Sequence, residues 1–500
     1  MSIELPFTVR PQAEELQAID LGDKRLNDRA RLIFEQWGKS PESSIPRVMK
    51  SSAELEGAYR FFNNPRVDSD AVLSPHIKCS WERAVKSSEA DQWVLAVQDT
   101  TEMRFGGTKD RNGLGSLMND GHGFYAHVGF LVSLVSTSNE NSVGVPLGVG
   151  ASEILVRPKG RPKRPEGVTK SQWAYERHFA PDNEFLRWKR VAESLDDIAT
   201  DRGVALVHVA DREADEFDFL TSLKNRGARF VVRQTKNRRV KQDPAQVREH
   251  GELHLNDLLA QSHPIRATRV VGFETVSSRG GRRRKLARKG RSTLLEVRAV
   301  STCVKRPHLT RSSEHELEIN VVVVREVEPP DGQRPIEWRL LTSEPVETSA
   351  DVLRVVDAYR ARWLIEEFFK ALKTGCNYER LQLETLHGLK IALSLCFGLA
   401  WHMLLLRTLA RDAPDVAGQA ALTKAQHDLL VLIASDANNP WTVKLPRAPT
   451  VTSVMYAVAR MGGHIRSNGP PGWQTLGRGF QELNRLLVAQ QWWLTRSDNT

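Results

Sequence analysis

At 500 residues and 40% hydrophobic content, the chain is long enough to form several packed domains, which excludes a disordered or fibrous protein. Its 71 lysines and arginines outnumber its 61 acidic residues, and the resulting net charge of +10 favours a polyanionic partner, with nucleic acid first among the candidates. Four cysteines without CxxC spacing exclude a disulfide framework and a zinc finger, and the N-terminus lacks a secretory pattern, so we expect a protein that stays in a reducing cytoplasm.

The first 75 residues predict a small helical module. Apolar side chains recur at helical spacing between Arg25 and Trp37. A second helical pattern, SAELEGAYRFFNNP, stops at Asn63, Asn64 and Pro65. We therefore expect a domain boundary shortly after this stop.

Two short apolar runs each lead into an aspartate. The run WVLAVQDTT begins at Trp93 and reaches Asp99, and a buried strand from Val204 to Ala210 reaches Asp211. Each strand is expected to end at its aspartate, where it opens into a site. Helical and strand patterns alternate through this region, which predicts a mixed α/β sheet with covered faces.

A β-rich insertion is predicted from about residue 237 to residue 335, where short strand patterns replace the helical ones. It contains the basic run Ser277 to Arg291, and another Pro- and Gly-rich basic segment spans Arg157 to Arg164. Contact with phosphate is the favoured role for the first run. A solvated segment is the alternative for both.

The segment from Ala350 to Tyr378 predicts a long helix. If it is continuous, Tyr359, Arg362, Glu366, Lys370 and Lys373 fall within an arc of about 80°. Such a face suits catalysis, but it also suits an ordinary solvated helix face, because Glu366 and Lys370 form an i,i+4 pair.

The chain after this helix is predicted to be helical to its end. The apolar stretch from Ile391 to Leu406 is shorter than the roughly 20 residues of a membrane span and contains His402, so it predicts a buried helix. A Gly- and Pro-rich segment from Gly462 to Gly472 interrupts the later helices.

Asp99, Asp211 and Glu366 together offer the oxygen ligands that Mg²⁺ or Mn²⁺ prefers, with substrate phosphate and water completing the shell. Two such ions can promote phosphoryl transfer without a side-chain nucleophile. Three neighbouring carboxylates compete with this set: Glu213, Asp215 and Glu367. Of these, Asp215 and Glu367 are expected to be supporting or surface groups. The sequence contains neither HExxH nor a Walker-type phosphate loop, which disfavours zinc proteolysis and nucleotide hydrolysis.

Several of these segments resemble the DDE transposases of the insertion-sequence IS-four family: LAVQDTT, VADREAD, RFVVR, EWRLLTSEPVE and YRARWLIEEFFKALKTG. The resemblance spans almost the whole chain, with EGAYRFFNNP similar to the family's DNA-binding module and PPGWQTLGRGFQEL to its C-terminal region. It implies a ribonuclease-H-like (retroviral integrase superfamily) catalytic core at 76–407 with an inserted β subdomain at about 237–335. A helical N-terminal DNA-binding domain at 1–75 and a helical C-terminal dimerisation domain at 408–500 complete the implied organisation.

The resemblance also implies roles for individual residues. Asp99, Asp211 and Glu366 match the catalytic, metal-binding triad. Trp338 falls where the family has a tryptophan that stacks on a flipped base, although a core aromatic is the alternative. The implied DNA-binding residues are Tyr359, Arg362, Lys370, Lys373, Arg233 and Trp338.

The implied activity is cut-and-paste transposition with Mg²⁺ or Mn²⁺: water nicks the DNA, the 3′-hydroxyl attacks to give a hairpin, and strands are transferred to target DNA. The expected partners are double-stranded DNA at inverted-repeat ends, target DNA and a second copy of the chain, with no membrane. A bacterial, nucleoid-associated setting is expected. Two alternatives stay open: a metal-dependent nuclease that never joins strands, and an inactive DNA-binding relic or inhibitor.

Overall fold

The computed structural model describes residues 5–7, 9, 12–106, 111–118, 121–137, 141–158, 163–258, 264–271, 291–329, 331, 335–465, 467 and 469–497. Within these ranges the chain is a mixed α/β protein, in which helices cover one large mixed sheet. The predicted α/β class is therefore confirmed.

The N-terminal segment is helical, as its apolar spacing predicts. The second helix begins after Asp23, whose carboxylate accepts the backbone N–H of Arg25, and the fourth begins after Ser51, whose hydroxyl accepts that of Glu54. Such caps satisfy backbone donors that the first turn leaves unpaired. The helices of this segment are α1 (Gln12–Glu15), α2 (Lys24–Lys39), α3 (Ile45–Val48), α4 (Ser52–Phe62) and α5 (Ser69–Glu89).

The described strands belong to one sheet: β1 (Trp93–Arg104), β2 (Gly115–Ser116), β3 (His122–Ser136), β4 (Ser142–Leu155), β5 (Leu206–Ala210), β6 (Arg229–Arg233), β7 (Ile265–Val271), β8 (Arg291–Lys305), β9 (Glu316–Glu326) and β10 (Glu337–Thr342). Their spatial order is β2-β3-β1-β5-β6-β10-β9-β8-β7, and β4 also pairs with β3. The pairs β1/β3 and β3/β4 are antiparallel, whereas β5 and β6 continue the sheet from β1 in parallel. Every residue of β5 is buried, as expected for a parallel strand covered on both faces.

The strands β7, β8 and β9 extend this same sheet. The edge strand of the parallel part, β6, pairs with β10, and β10 pairs with β9 over its full length. The prediction of a separate β insertion is therefore wrong in this respect, because backbone hydrogen bonds through β10 continue the insertion into the central sheet.

The helices after the first four strands are α6 (Lys170–Phe179), α7 (Leu186–Asp201), α8 (Phe217–Asn225), α9 (Pro244–His250), α10 (Leu255–Leu258), α11 (Ser349–Ala361), α12 (Trp363–Lys370), α13 (Leu386–Asp412), α14 (Lys424–Ser435), α15 (Val451–Met461) and α16 (Trp473–Ser497). The predicted continuous helix from Ala350 to Tyr378 is wrong. Between α11 and α12 the N–H of Arg362 bonds the carbonyl of Tyr359, three residues back, and one π-helical turn, Ala371–Gly375, follows α12. These shifts in hydrogen bonding leave the apolar spacing almost unchanged, so the sequence pattern does not reveal them.

The helix α13 confirms the buried apolar helix predicted from Ile391 to Leu406. By length and composition it is apolar enough to cross a membrane, but 94% of its most apolar 18-residue window is buried inside the protein. It packs against α5 and β4 on one side and α15 on another. A helix that is apolar nearly all round is typical of such a core position.

The C-terminal helices pack back onto the N-terminal ones. The predicted break from Gly462 to Gly472 separates α15 from α16. The side chain of Asn484 on α16 accepts from Gln426 at 3.0 Å and donates to the Gly38 carbonyl on α2 at 3.2 Å. Both ends of the chain thus share one hydrophobic core with the sheet, and the proposed domain boundaries near residues 75 and 407 stay predictions.

A buried charge cluster ties α1 to α5. The Glu15 carboxylate, 4% exposed, pairs with Arg83 at 2.6 Å and with His76 at 2.8 Å. Burial by itself raises the pKa of Glu15, but the charges of Arg83 and His76 outweigh burial and lower that pKa to about 2. The ionised form of Glu15 is therefore stabilised in the folded protein.

The variant Glu15→Gln should lower the free energy of unfolding at pH 7 by about 3 kcal/mol, because it leaves the buried Arg83 charge without its partner. The folded pKa of Glu15 lies below its ordinary value of 4.5, so its stabilisation is complete above about pH 4.5 and is lost as the pH falls toward 2. In denaturant unfolding, the difference in the free energy of unfolding between variant and wild type should therefore be about half as large at pH 3 as at pH 7. The exposed neighbour serves as control: Glu14→Gln should change neither value, and equal effects of the two variants would contradict the assignment.

Candidate active site

Asp99 and Asp211 lie side by side in the sheet. The parallel pairing of β1 with β5 ends at Gln98 opposite Ala210, so the next residue on each chain is one of the two aspartates. Asp211 follows the end of β5, as predicted. The prediction that Asp99 also ends its strand is wrong, because β1 stays paired with β3 as far as Arg104. The site therefore opens where β5 ends and β1 continues.

The third carboxylate, Glu366, lies on α12, and Arg362 at the start of that helix connects it to Asp99. The Arg362 guanidinium donates from Nη2 to Glu366 Oε1 at 2.5 Å and from Nη1 to Asp99 Oδ2 at 3.3 Å. One arginine thus bridges two of the predicted carboxylates, and its i,i+4 spacing from Glu366 is the one that helix geometry brings together.

The carboxylates also interact electrostatically. Burial raises the pKa of Asp99 to about 7, against the charge of Arg362, and the negative charges of Asp211 and Glu366 add to the rise. All three predicted triad members therefore share one electrostatic environment. It holds more negative charge than the single guanidinium of Arg362 offsets.

The donor set suits a hard divalent cation, since carboxylate oxygens are the ligands that Mg²⁺ and Mn²⁺ prefer. Within the described part of the chain, no three histidine, cysteine or carboxylate side chains already converge closely enough to coordinate one ion. The positively charged Arg362 lies between Asp99 and Glu366, at the position that a shared cation would take. The donor chemistry fits such an ion, and a cation shared by Asp99 and Glu366 would have to displace this guanidinium.

The predicted DNA-binding lysines face other partners. Lys370, the last residue of α12, lies over the Trp363 ring with its Nζ 4.8 Å from the centroid. Lys373 lies in the π-helical turn and pairs with Glu379 at 3.5 Å. Neither lysine contacts Glu366 or Asp99 among these contacts, and the single arc expected for the five signature residues stays a prediction.

Two predicted aromatic residues pack together next to Arg362. The rings of Trp338 on β10 and Tyr359 on α11 meet edge to face at 5.4 Å, and the Arg362 guanidinium carbon lies 5.8 Å from the Tyr359 ring. The Tyr359 hydroxyl is buried and has no hydrogen-bond partner among the described residues. Arg233, at the end of β6, donates to the Glu337 carbonyl at 3.3 Å.

The competing carboxylates have structural partners. Asp215, 1% exposed, pairs with Arg238 at 2.5 Å, and Glu367, 7% exposed, pairs with Arg411 at 2.8 Å. Their burial excludes the surface position and leaves the supporting one as a prediction. The third, Glu213, is exposed and contacts Arg187 at 3.2 Å.

A polar network behind Asp99 was not predicted from the sequence. The only signal for it there is the polar residue on either side of Asp99. Gln98 and Thr100 interrupt an apolar strand, and both hydrogen-bond to buried histidines. His208, which its position inside a strand predicts to be a core residue, is fully buried and paired with Asp196 at 2.8 Å. Nothing in the sequence distinguishes Arg187, which joins this network from α7.

The described residues include only part of the two basic segments. The run Ser277 to Arg291 lies outside the described residues apart from Arg291, the first residue of β8. Of the segment Arg157 to Arg164, the described part includes Arg157, which pairs with Glu184 at 2.6 Å.

Comparison with known proteins identifies two matching segments. Residues 12–67 match the family model described as transposase DNA-binding, and residues 188–401 match the transposase DDE domain. The second match includes Asp211 and Glu366. It begins after Asp99, so only the geometry of the structure associates Asp99 with these two residues. Together the two matches support a DNA transposase of the DDE type.

One solved structure is also similar: a chain in the cryo-EM structure of the piggyBac transposase synaptic complex with hairpin DNA. The two sequences are 10% identical, and the alignment covers 94% of this chain and 73% of that chain with a TM-score of 0.30. A TM-score this low does not establish a common fold.

Removing Arg362 should increase the affinity of the DNA-free protein for Mn²⁺. The variant Arg362→Ala eliminates the positive charge between Asp99 and Glu366, and we expect binding to tighten by about tenfold or more. Isothermal titration calorimetry with Mn²⁺ measures this directly. The matched control is Arg354→Ala, an exposed arginine of α11, which should bind Mn²⁺ like the wild type. Unchanged or weaker binding by Arg362→Ala would show that the guanidinium does not compete with a cation.

Proposed function

We propose that the chain is a cut-and-paste DNA transposase whose catalytic residues are Asp99, Asp211 and Glu366. The observation that carries this proposal is that Asp99 and Glu366, from distant parts of the chain, meet on one arginine beside the end of β5, which Asp211 directly follows. The matches to a transposase DNA-binding model and a DDE domain model support the same conclusion.

The strand order supports a ribonuclease-H-like core. Three antiparallel strands, β4, β3 and β1, are followed by two parallel strands, β5 and β6. In this arrangement the central strand β1 and its parallel neighbour carry Asp99 and Asp211, while a later helix brings Glu366. The proposed core places all three residues at one edge of the sheet.

Asp99, Asp211 and Glu366 would hold the divalent ions, Mg²⁺ or Mn²⁺. When bound, such ions activate the attacking oxygen and stabilise the leaving oxygen of a phosphoryl transfer. The protein orients the carboxylates through backbone N–H groups: Thr100 donates to Asp99 Oδ1 at 2.7 Å, and Glu213 donates to Asp211 Oδ1 at 2.8 Å. The proposed sequence of steps is nicking by water, attack by the freed 3′-hydroxyl to give a hairpin, and strand transfer.

The neighbouring residues suit a DNA strand. The buried Tyr359 hydroxyl needs an acceptor, and a phosphate oxygen beside Arg362 would provide one. We assign further DNA contacts to Arg233, Lys370 and Lys373, and base stacking to Trp338, as the resemblance implies. The guanidinium of Arg362 would move from the carboxylates to the phosphate when DNA and metal bind.

We propose a homodimer in the complex with two DNA ends. The helix α13 is buried within the chain, which excludes it as a contact surface for a second copy. The last turns of α16 instead expose Trp492, Trp493 and Leu494, each by more than half. A large exposed apolar patch of this kind is typical of an interaction surface.

The test uses DNA carrying the short inverted repeats expected to flank the gene, labelled at one end and incubated with Mg²⁺. Wild-type protein should yield hairpin and joined products. The variant Glu366→Ala should lose cleavage while its affinity for the DNA end changes little, because Glu366 acts on the metal and not on DNA recognition. Gel analysis of products and a binding titration measure the two effects.

Exposed Glu347 provides the control, since Glu347→Ala removes a carboxylate ahead of α11 and should retain both cleavage and binding. Products that contain only hydrolysed ends would establish a nuclease instead. Binding without any cleavage by the wild type would indicate a DNA-binding relic or inhibitor. Equal loss of cleavage and binding in Glu366→Ala would contradict the assigned role.

A further inference from the structure

A buried chain of hydrogen bonds lies on the opposite face of the sheet from the three carboxylates. Side chains alternate along a strand, so Gln98 and Thr100 point away from the face that Asp99 occupies. Helix α7 covers this second face. The two residues that flank Asp99 are thus available to interact with α7 and with the adjacent strands.

This chain of hydrogen bonds begins and ends at side chains of α7. Gln98, His127 and His208, its central members, are fully buried. The consecutive contacts are Arg187 Nε to Thr100 Oγ1 at 3.0 Å, Thr100 Oγ1 to His127 Nδ1 at 2.8 Å, His127 Nε2 to Gln98 Oε1 at 3.3 Å, Gln98 Nε2 to His208 Nδ1 at 3.0 Å and His208 Nε2 to Asp196 Oδ1 at 2.8 Å.

One direction of donation satisfies every member. An arginine only donates, so the Thr100 oxygen accepts from Arg187 and its O–H donates to His127. Neutral His127 then donates onward to Gln98, and the sequence of donors ends at the Asp196 carboxylate, which only accepts. Burial lowers the pKa of His127 well below its ordinary value, which favours the neutral ring that this arrangement requires. A fully satisfied buried network of this kind specifies one geometry.

Arg187 also reaches the segment that carries Asp211. Its Nη2 donates to Glu213 Oε2 at 3.2 Å, while its Nε donates to Thr100. The same two partners also hold the aspartates. The backbone N–H of Thr100 donates to one oxygen of Asp99, and that of Glu213 donates to one oxygen of Asp211. Arg187 therefore links the two short segments that orient the neighbouring aspartates, and its own side chain is only 12% exposed.

We propose that Arg187 is a positioning residue that, through Thr100 and Glu213, sets the spacing of the Asp99 and Asp211 carboxylates for divalent-ion binding. The role in catalysis rests on the proposed transposase function. The effect on ion binding does not, because it concerns only the geometry of the two aspartates. Residues that orient metal ligands from behind typically change metal affinity or activity by about 10- to 100-fold when mutated.

The Thr100 hydroxyl offers the sharpest test, since Thr100→Val keeps the side-chain shape and removes only the hydrogen bonds. Calorimetric titration of the DNA-free protein with Mn²⁺ should show affinity reduced by about tenfold or more. The conservative variant Thr100→Ser retains the hydroxyl and should bind Mn²⁺ like the wild type. The control is Thr221→Val, a more deeply buried threonine on α8 whose hydroxyl donates to the Phe217 carbonyl; its Mn²⁺ affinity should be unchanged.

Arg187 itself is tested by Arg187→Lys, which keeps the charge but cannot contact Thr100 and Glu213 with separate N–H groups of one rigid plane. We expect weaker Mn²⁺ binding and, on a labelled DNA end, a single-turnover cleavage rate reduced by about tenfold or more with the dissociation constant for DNA unchanged. Loss of DNA affinity with an unchanged rate would instead make Arg187 a DNA-binding residue and overturn the proposal.

Wild-type Mn²⁺ affinity in Thr100→Val and Arg187→Lys would overturn the positioning role, as would equal weakening by Thr221→Val. Failure of Thr100→Ser to bind better than Thr100→Val would also overturn it. The positioning role stands, even when no DNA is cleaved, under three conditions: the wild type binds Mn²⁺, Asp99→Asn abolishes that binding, and Thr100→Val weakens it. That combination would reject only the proposed function.

Discussion

The buried carboxylate of Asp99 is the constraint on which the rest of the site depends. Burial raises its pKa to about 7, Arg362 opposes that rise, and two further carboxylates add to it. An arginine suits this position because it stays protonated and presents several donors in one plane. Lying one helical turn before Glu366, that arginine reaches both Glu366 and Asp99. The folded protein thus offsets part of this negative charge with the guanidinium of Arg362.

The sheet creates this crowding through strands of unequal length. The short strand β5 ends at Ala210, but β1 continues for six residues beyond the last pair that it forms with β5, held by β3. Asp99 therefore stays fixed by regular strand geometry while Asp211 enters a turn beside it. A carboxylate on a paired strand has little freedom to move away from its neighbours, which explains how the fold maintains an arrangement that electrostatics disfavours.

Features that depend on local spacing were predictable from the sequence. The stop of α4 before Asn63, the buried helix α13 and the approach of β5 to Asp211 all follow from patterns within a few residues. The position of Asp99 within β1 was not predictable, because it depends on pairing with β3, whose residues lie more than twenty positions away. The break at Arg362 was not predictable for another reason. A single three-residue hydrogen bond in place of the α-helical one barely alters the spacing of the apolar residues.

Because side chains alternate along β1, the residues on either side of Asp99 face away from the site. Gln98 and Thr100 point the other way, into a region where apolar side chains would pack more simply, and each buries polar atoms that must be paired. Replacing them with apolar residues would preserve the sheet but remove the hydrogen bond from Arg187 on α7 to Thr100 and the bonds of Gln98 to the two histidines. Polar residues at these two positions therefore make sense as a means of fixing the strand on both sides of Asp99, where an error of 1 Å would matter for ligand geometry.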